Sequence, residues 1–328
     1  MNFLAKSFHS YKNKKIVITG GNGYIGSSLS ASLSKYTKNI CIHSRSKNNN
    51  LQEHKNYTYL YGDLCDDEIW KSIINFADII FHLGENTSIY SVENDVDKSA
   101  NSSMRVMTAF DKAIKRANKK IRFIYASTAS IYGLNKKNTI SESETASPIT
   151  IYDLHKQYVE NHLAYLANNQ LIEYISLRLS NVYGPGNSIL QASDRGILTK
   201  IMKMAIGNHD IKLYGDGKYF RDYVYIDDVV KSFLLAGINK YVNNSNFNVC
   251  YGEGITVKDA FTEILNSVHD SKSSIILEPW PINSHEIDKR NFVGDNNKFY
   301  LAFGWKPEIN FQKGIAKLLL HELNNYDE

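Results

Sequence analysis

Residues 16–26 read IVITGGNGYIG. An apolar run that reads as a strand enters a turn with Gly20, Gly23 and Gly26, and a helical pattern from Tyr24 to Ser34 follows at once. Glycines in that setting allow a tight turn and let backbone N–H groups approach a pyrophosphate, to which the helix adds the positive end of its dipole. A glycine run alone is a weak signal, since ordinary turns use glycine too; its place between a first strand and a helix is what gives it weight. The expected contacts to a dinucleotide here are Gly20, Gly23, Tyr24, Ile25 and Gly26. Their spacing is G-x-x-G-x-x-G, not G-x-G-x-x-G.

Outward from this loop the pattern repeats. NICIHS (39–44) and YTYLYGD (57–63) read as strands, a helix is expected near Asp66–Phe76, and DIIFHLG (78–84) reads as a fourth strand. A longer helix near Val96–Ala117, the strand IRFIYAS (121–127), a helix over Ile151–Asn168 and the strand EYISLRLS (173–180) continue the alternation. Strands alternating with helices predict an α/β fold, a Rossmann-type doubly wound parallel sheet covered on both faces. SESETASP (141–148), NVYGPGN (181–187) and the asparagine-rich 47–50 stretch read as loops. Short strands such as IKLYG, FNVCYG and SIILEP follow, predicting a smaller C-terminal lobe interleaved with the sheet. The division is residues 14–180 for cofactor and catalytic helix, and 181–328 mainly for substrate.

The bulk numbers set the frame. The chain has 328 residues, 43% hydrophobic and 22% charged, with a net charge of +4, a composition ordinary for a globular protein. No stretch approaches the roughly 20 apolar residues of a membrane span, and the start MNFLAKSFHSYKNKK is too short in apolar residues for a signal core. It reads as an arm before the first strand, and the location expected is cytoplasmic, without membrane insertion. The lysines are scattered, which speaks against nucleic acid as a partner. Cys41, Cys65 and Cys250 are too far apart to suggest a disulfide framework or a metal site, and no metal is expected.

Two further stretches fit the cofactor path. Asp63 and Leu64 follow the third strand, where they would border an adenine, and Leu83 and Gly84 end the fourth. At the end of the second strand stand Ser44 and Arg45, where an NAD site usually places an acid against the ribose 2′-hydroxyl. An arginine instead can grip a 2′-phosphate through charge-assisted hydrogen bonds worth about 1.5–3 kcal/mol, roughly a 10- to 150-fold preference. NADP(H) is therefore favoured over NAD(H).

Tyr152 and Lys156 lie four apart on one face of a predicted helix. Tyrosine is a poor acid or base at neutral pH, and a nearby ammonium favours its ionised form. Such a pair can exchange a proton with a hydroxyl or carbonyl while hydride moves to or from a nicotinamide. Thr128, at the end of a strand, offers a hydroxyl to the reacting oxygen; Ser127 and Ser130 are weaker candidates, with Ser127 the one expected to satisfy backbone.

With these residues in place, the chain resembles the extended short-chain dehydrogenase/reductase family, in its nucleotide-sugar epimerase/dehydratase/reductase branch. The segments that carry the resemblance are TGGNGYIG, YGDL, FHLGENTS, ASTASIYG, YDLHK, LRLSNVYGPG, GDGKYFRDYVYIDDV and FGWKP, which run in this order from Ile16 to about Pro307. The resemblance implies that Thr128, Tyr152 and Lys156 are catalytic, that Tyr152 and Lys156 also contact the cofactor, the lysine at its nicotinamide ribose, and that Thr128, Asn181, Arg221 and Arg290 hold a nucleotide-diphosphate sugar. Arginine forks suit diphosphate oxygens, unless Arg221 pairs only with Asp222 or Asp227. It also implies a homodimer. Dehydratases of this branch follow the threonine with Asp-Glu, but Ala129 and Ser130 stand here, so loss of water from the sugar is not expected. The reading is hydride transfer at a sugar ring carbon, C4, by an NADPH-dependent 4-keto reductase, with an NAD-dependent 4-epimerase as the alternative and a non-catalytic nucleotide-binding module as a distant third.

Overall fold

The computed structural model describes residues 8–47, 54–85, 88–186 and 196–325. Residues 1–7 of the N-terminal arm, 48–50 of the asparagine-rich loop, 86–87 of FHLGENTS and Asn187 of NVYGPGN lie outside these. β1 (Ile16–Thr19) runs through the glycine turn into α1 (Tyr24–Leu33), followed by β2 (Ile40–Ser44), β3 (Thr58–Tyr61), α2 (Asp67–Phe76) and β4 (Ile79–His82). Then come α3 (Ile89–Asn94), α4 (Val96–Ala100), a π-helical turn at Asn101–Arg105, α5 (Val106–Arg116) and β5 (Ile121–Thr128). α6 (Ile151–Asn168) leads to β6 (Ile172–Leu179) and β7 (Asn181–Tyr183).

The remainder supplies α7 (Ile197–Ile206), β8 (Ile211–Tyr214), β9 (Phe220–Tyr225), α8 (Ile226–Ile238), β10 (Ser245–Val249), β11 (Gly254–Thr256), α9 (Val257–Ser267), β12 (Ile275–Glu278), α10 (Asn297–Phe303) and α11 (Phe311–Asn324). Seven strands form one sheet in the order β10-β6-β5-β4-β1-β2-β3, and each neighbouring pair is parallel. This is the Rossmann-type doubly wound sheet. β7, β9 and β11 make a small second sheet, and β8 pairs with β12.

Alternation along the strands explains the two layers of helices. Ile16 and Ile18 share one buried cluster with Leu29 and Leu33 of α1 and Val229 and Phe233 of α8. Val17, between them, faces the opposite cluster with Trp70 of α2, Phe110 of α5 and Leu163 of α6. Successive side chains on a strand point to opposite faces, so both faces are apolar and both need helices. Trp70 and Phe110 sit with ring centroids 4.8 Å apart, and Phe110 and Phe123 4.9 Å apart. Burying a side chain of that size contributes about 1.5–3 kcal/mol. The described end of the N-terminal arm joins the core: Tyr11 is buried and donates to the Leu234 carbonyl at 2.7 Å.

The helix expected over Val96–Ala117 starts at Val96, where the Asp95 side chain accepts the Lys98 N–H at 2.9 Å as an N-cap, but it is not α-helical throughout. Farther on, the hydroxyls of Ser102 and Ser103 both donate to the Ser99 carbonyl, at 2.9 and 2.8 Å. Hydroxyls that compete for helix carbonyls loosen the ladder, and here the chain widens into the π turn before α5 resumes. Ser99 itself is pinned to His155 of α6, Oγ to Nδ1, at 2.8 Å.

Candidate active site

The order in which strands join the sheet reverses between β1 and β4, and ligands of doubly wound sheets bind beyond the strand ends at such a point. A cleft of about 690 Å³ lies there, lined by Gly20, Gly23, Ser44, Arg45, Asp63, Leu64, Leu83, Gly84 and Glu85, among others. Gly20 has φ +67°, and a Cβ there would come within 2.7 Å of the Leu83 carbonyl and 2.8 Å of Gly84 Cα. Gly26 allows the first turn of α1 to press on the loop, since a Cβ on it would sit 2.3 Å from the Gly20 carbonyl oxygen. Both positions exclude side chains, so the cradle fits a pyrophosphate lying against bare backbone. Gly26, Tyr24 and Ile25 are placed behind the lining: the Tyr24 hydroxyl donates to the Gly184 carbonyl at 2.8 Å, tying α1 to the 184–186 turn, and Ile25 packs on the core.

At the adenosine end Arg45 is exposed and Ser44 half-buried. The Cys65 N–H donates to Asp63 Oδ1 at 2.9 Å, and that bond, with the Arg45 charge also contributing, holds the Asp63 carboxyl below its ordinary value.

The opposite end holds the predicted catalytic set. Thr150 caps α6 by accepting the Asp153 N–H at 3.0 Å, which places Tyr152 and Lys156 in the first two turns, facing the end of β5. Lys156 Nζ lies 5.8 Å from the centre of the Tyr152 ring and donates to the Ala126 carbonyl at 2.7 Å. Its closest partner is one that motif reading missed: Glu85, 2.5 Å away. Burial alone would push the Lys156 ammonium down, but Glu85 and the Tyr152 oxygen more than offset it and hold the group above its ordinary value. For Tyr152 the sequence suggested a lowered value. In the structure burial pushes the phenol up; Lys156 pulls it down, Glu85 and Asp153 push it back, and hydrogen bonding with Thr128 lowers it, for a net rise.

Thr128 does not act alone. Its hydroxyl shares a hydrogen bond of 2.8 Å with Ser130 Oγ, accepts the Ser130 N–H at 3.1 Å, and Ser130 in turn donates to Asp153. With the Ser130 proton on Asp153, Ser130 Oγ is left to accept from Thr128. Ser130 is thus part of the cluster. Ser127, expected to satisfy backbone, has a buried hydroxyl without a hydrogen-bond partner among the described residues.

The small sheet assembles the remaining set. Asn181 pairs across from Tyr223, two residues from Arg221 on β9. Arg221 forms no ion pair with Asp222 or Asp227 among the described residues. It donates to the backbone carbonyls of Asp288 and Arg290, clamping that segment. Asp222 accepts the N–H groups of Tyr251, Gly252 and Gly294, and burial pushes its carboxyl up to about 6 despite those bonds. Arg290 lines a second pocket of about 530 Å³ with Phe220, Asn291 and Val293. Its Nη1 is buried without a hydrogen-bond partner, and burial, together with the Arg221 charge, pushes the group down to about 10.

The profile of the NAD-dependent epimerase/dehydratase family matches residues 16–250. A putative UDP-glucose 4-epimerase of Methanocaldococcus jannaschii is 26% identical over 314 residues, covering 94% of this chain and 99% of that one. A dTDP-4-dehydro-6-deoxyglucose reductase of Escherichia coli is 26% identical over 315 residues, covering 93% and 96%. Among solved structures, the UDP-glucose 4-epimerase of Thermotoga maritima, determined with UDP-glucose, superposes with a TM-score of 0.82 at 28% identity, covering 95% of this chain and 99% of that one.

Proposed function

The chain belongs to the NAD-dependent epimerase/dehydratase family, the extended short-chain dehydrogenase/reductases, and from this we propose that it moves a hydride at C4 of a nucleotide-diphosphate sugar. The observation that carries the reading is the Thr128–Tyr152–Lys156 cluster, its lysine buried, joined through Glu85 to a cleft whose glycines leave room for a dinucleotide. A bound nicotinamide cofactor supplies or accepts the hydride. Tyr152 passes the proton to or from the sugar oxygen, Thr128 orients that oxygen, and Lys156 sets the charge beside the phenol. Arg221, Arg290 and Asn181 hold the diphosphate on the small sheet's side. In the same proposal residues 14–180 serve cofactor and chemistry and 181–328 mainly substrate. The protein works as a cytoplasmic homodimer, for which the exposed Leu154 and Tyr165 of α6 offer an apolar face.

Of the two directions we favour reduction of a 4-keto sugar by NADPH. Arg45 on the cleft and a Tyr152 held as a proton-bearing phenol both support it. The second reading, a 4-epimerase that retains NAD, is supported by the likeness to two proteins named as UDP-glucose 4-epimerases. Identification of the nucleotide released on denaturation separates them. Protein that releases none and oxidises NADPH with a 4-keto sugar nucleotide supports the reductase; retained NAD supports the epimerase. Failure to bind or use any nicotinamide cofactor refutes both.

A further inference from the structure

Glu85 follows Gly84 just beyond the end of β4. Its carboxylate lies 2.5 Å from Lys156 Nζ, and the two side chains are only 5% and 6% exposed. The same Oε2 accepts the Tyr125 hydroxyl at 2.8 Å. Lys156 spends a second proton on the Ala126 carbonyl, so one of its three N–H bonds is left for the cleft. Glu85 also lines that cleft, together with Gly20, Gly23 and Gly84.

A polar chain supports the carboxylate from below. Thr19 Oγ1 accepts the Gly84 N–H at 3.3 Å and lies 2.7 Å from His82 Nδ1. The threonine hydroxyl can donate to Nδ1, and the other ring nitrogen, Nε2, is turned to the carboxylate. That atom faces Glu85 Oε1 at 3.9 Å, beyond hydrogen-bond length, and neither atom has another hydrogen-bond partner among the described residues. The carboxylate is thus built into the floor of the site, with the phosphate loop at one end of the chain and the ammonium at the other.

We propose that Glu85 is a positioning residue of the reaction centre, fixing the Lys156 ammonium and offsetting its charge where it faces Tyr152. The inference rests on Tyr152 and Lys156 being the reacting pair. Glu85 and the Ala126 carbonyl each take one N–H of Lys156, which holds the ammonium at one position while the carboxylate offsets part of its charge. The groups facing Tyr152 come from every neighbouring element. Lys156 and Asp153 stand on its own helix, Tyr125 and Thr128 on β5, Glu85 beyond β4, and Arg290 on the segment held by Arg221. Lys156 and Arg290 favour the phenolate; Glu85 and Asp153 favour the phenol. Removal of the Glu85 charge tips that balance toward phenolate while leaving the cofactor cradle and the diphosphate contacts in place.

The test compares wild type with Glu85→Gln and Glu85→Asp, each alone and combined with Tyr152→Phe. Ultraviolet titration of each pair, subtracted, isolates Tyr152 from the 22 tyrosines, and calorimetry with NADH and NADPH reports cofactor binding. Glu85→Gln is expected to move the Tyr152 midpoint toward acid by about 1–3 pH units, the size of a nearby-charge effect, and the pH profile of turnover with it. Glu85→Asp keeps the charge on a shorter arm and moves the midpoint the same way by less, so it carries the test if Glu85→Gln does not fold. A folded, cofactor-binding variant whose midpoint stays at the wild-type value overturns the inference. Wild type that binds neither cofactor would instead overturn the functional reading beneath it.

Discussion

Tyr152 has to part with a proton inside a buried cluster whose charges pull both ways, so its hydroxyl is the most sensitive atom of the proposed chemistry. Tyr152→Phe keeps the ring over Lys156 and removes only that hydroxyl. Turnover should fall by about 10²–10⁴ while calorimetric affinity for the cofactor stays within a few-fold; full activity on the true substrate excludes the mechanism. Arg45, exposed at the far end of the cleft, poses the cofactor question. If it grips a 2′-phosphate, Arg45→Ala should weaken NADPH by about 10- to 150-fold and leave NADH unchanged. Because the guanidinium is exposed, the NADPH advantage should also shrink as salt rises past about 0.1 M, where screening acts over roughly 10 Å. Equal binding of the two cofactors by wild type, unaffected by the substitution, would make Arg45 a solvated loop residue and move the balance to the epimerase.

β4 illustrates how one strand serves both core and site. Ile79 and Phe81 face one apolar cluster and Ile80 the other, which leaves His82 to end the strand inside the sheet, fully buried. Burial, opposed in part by Glu85, pushes His82 down to about 4. Between pH about 4 and 6.5 the unfolded chain therefore binds a proton that the folded chain does not, and stability rises with pH through that window. His82 contributes its full share above about 6.5 and loses it as pH falls toward 4. In His82→Asn the acid loss of stability, read as denaturant midpoints across pH 7 to 4, should be shallower than in wild type; parallel curves would show that His82 does not titrate there. This strand also marks what a sequence can and cannot disclose. The glycine loop and the Tyr152/Lys156 pair were legible because their geometry is set by spacing within a single turn or helix, and Val17 against Ile16 and Ile18 gives a parallel sheet away by apolar runs alone. Glu85 and Asp153 were not legible. One meets Lys156 only when β4 lies beside β5 and α6, and the other meets Ser130 only when α6 folds back on the end of β5. The π turn at Asn101–Arg105 was not legible for a related reason: its cause lies in serine hydroxyls turned onto Ser99, a choice that tertiary contact with His155 helps fix.

At the scale of the whole molecule, the cofactor cleft and the diphosphate contacts are built from different parts of the chain. The cleft is lined by the ends of β1, β2, β3 and β4 and by the 91–106 region. The candidate diphosphate residues stand on the small sheet and on the 288–290 segment, which Arg221 fastens by two backbone carbonyls. Arg221 therefore has two tasks in the proposed enzyme: its remaining N–H groups face the diphosphate, and its clamp sets where Arg290 stands. Arg221→Ala removes both, so affinity for the favoured nucleoside diphosphate should drop by about 10- to 150-fold, the worth of one charge-assisted contact. The cofactor should bind as before, since its cleft contains no part of the small sheet among its lining residues. Arg221→Lys should fall between, because a single ammonium cannot donate in the fork that reaches two carbonyls. Calorimetry with UDP, GDP, CDP and dTDP, alongside NADH and NADPH, reads all of these at once. Loss of cofactor and nucleotide binding together would mean the substitution has unsettled the fold, which a melting curve checks. Unchanged binding of every nucleotide that wild type binds would remove Arg221 from the substrate site and leave it the clamp of the 288–290 segment alone.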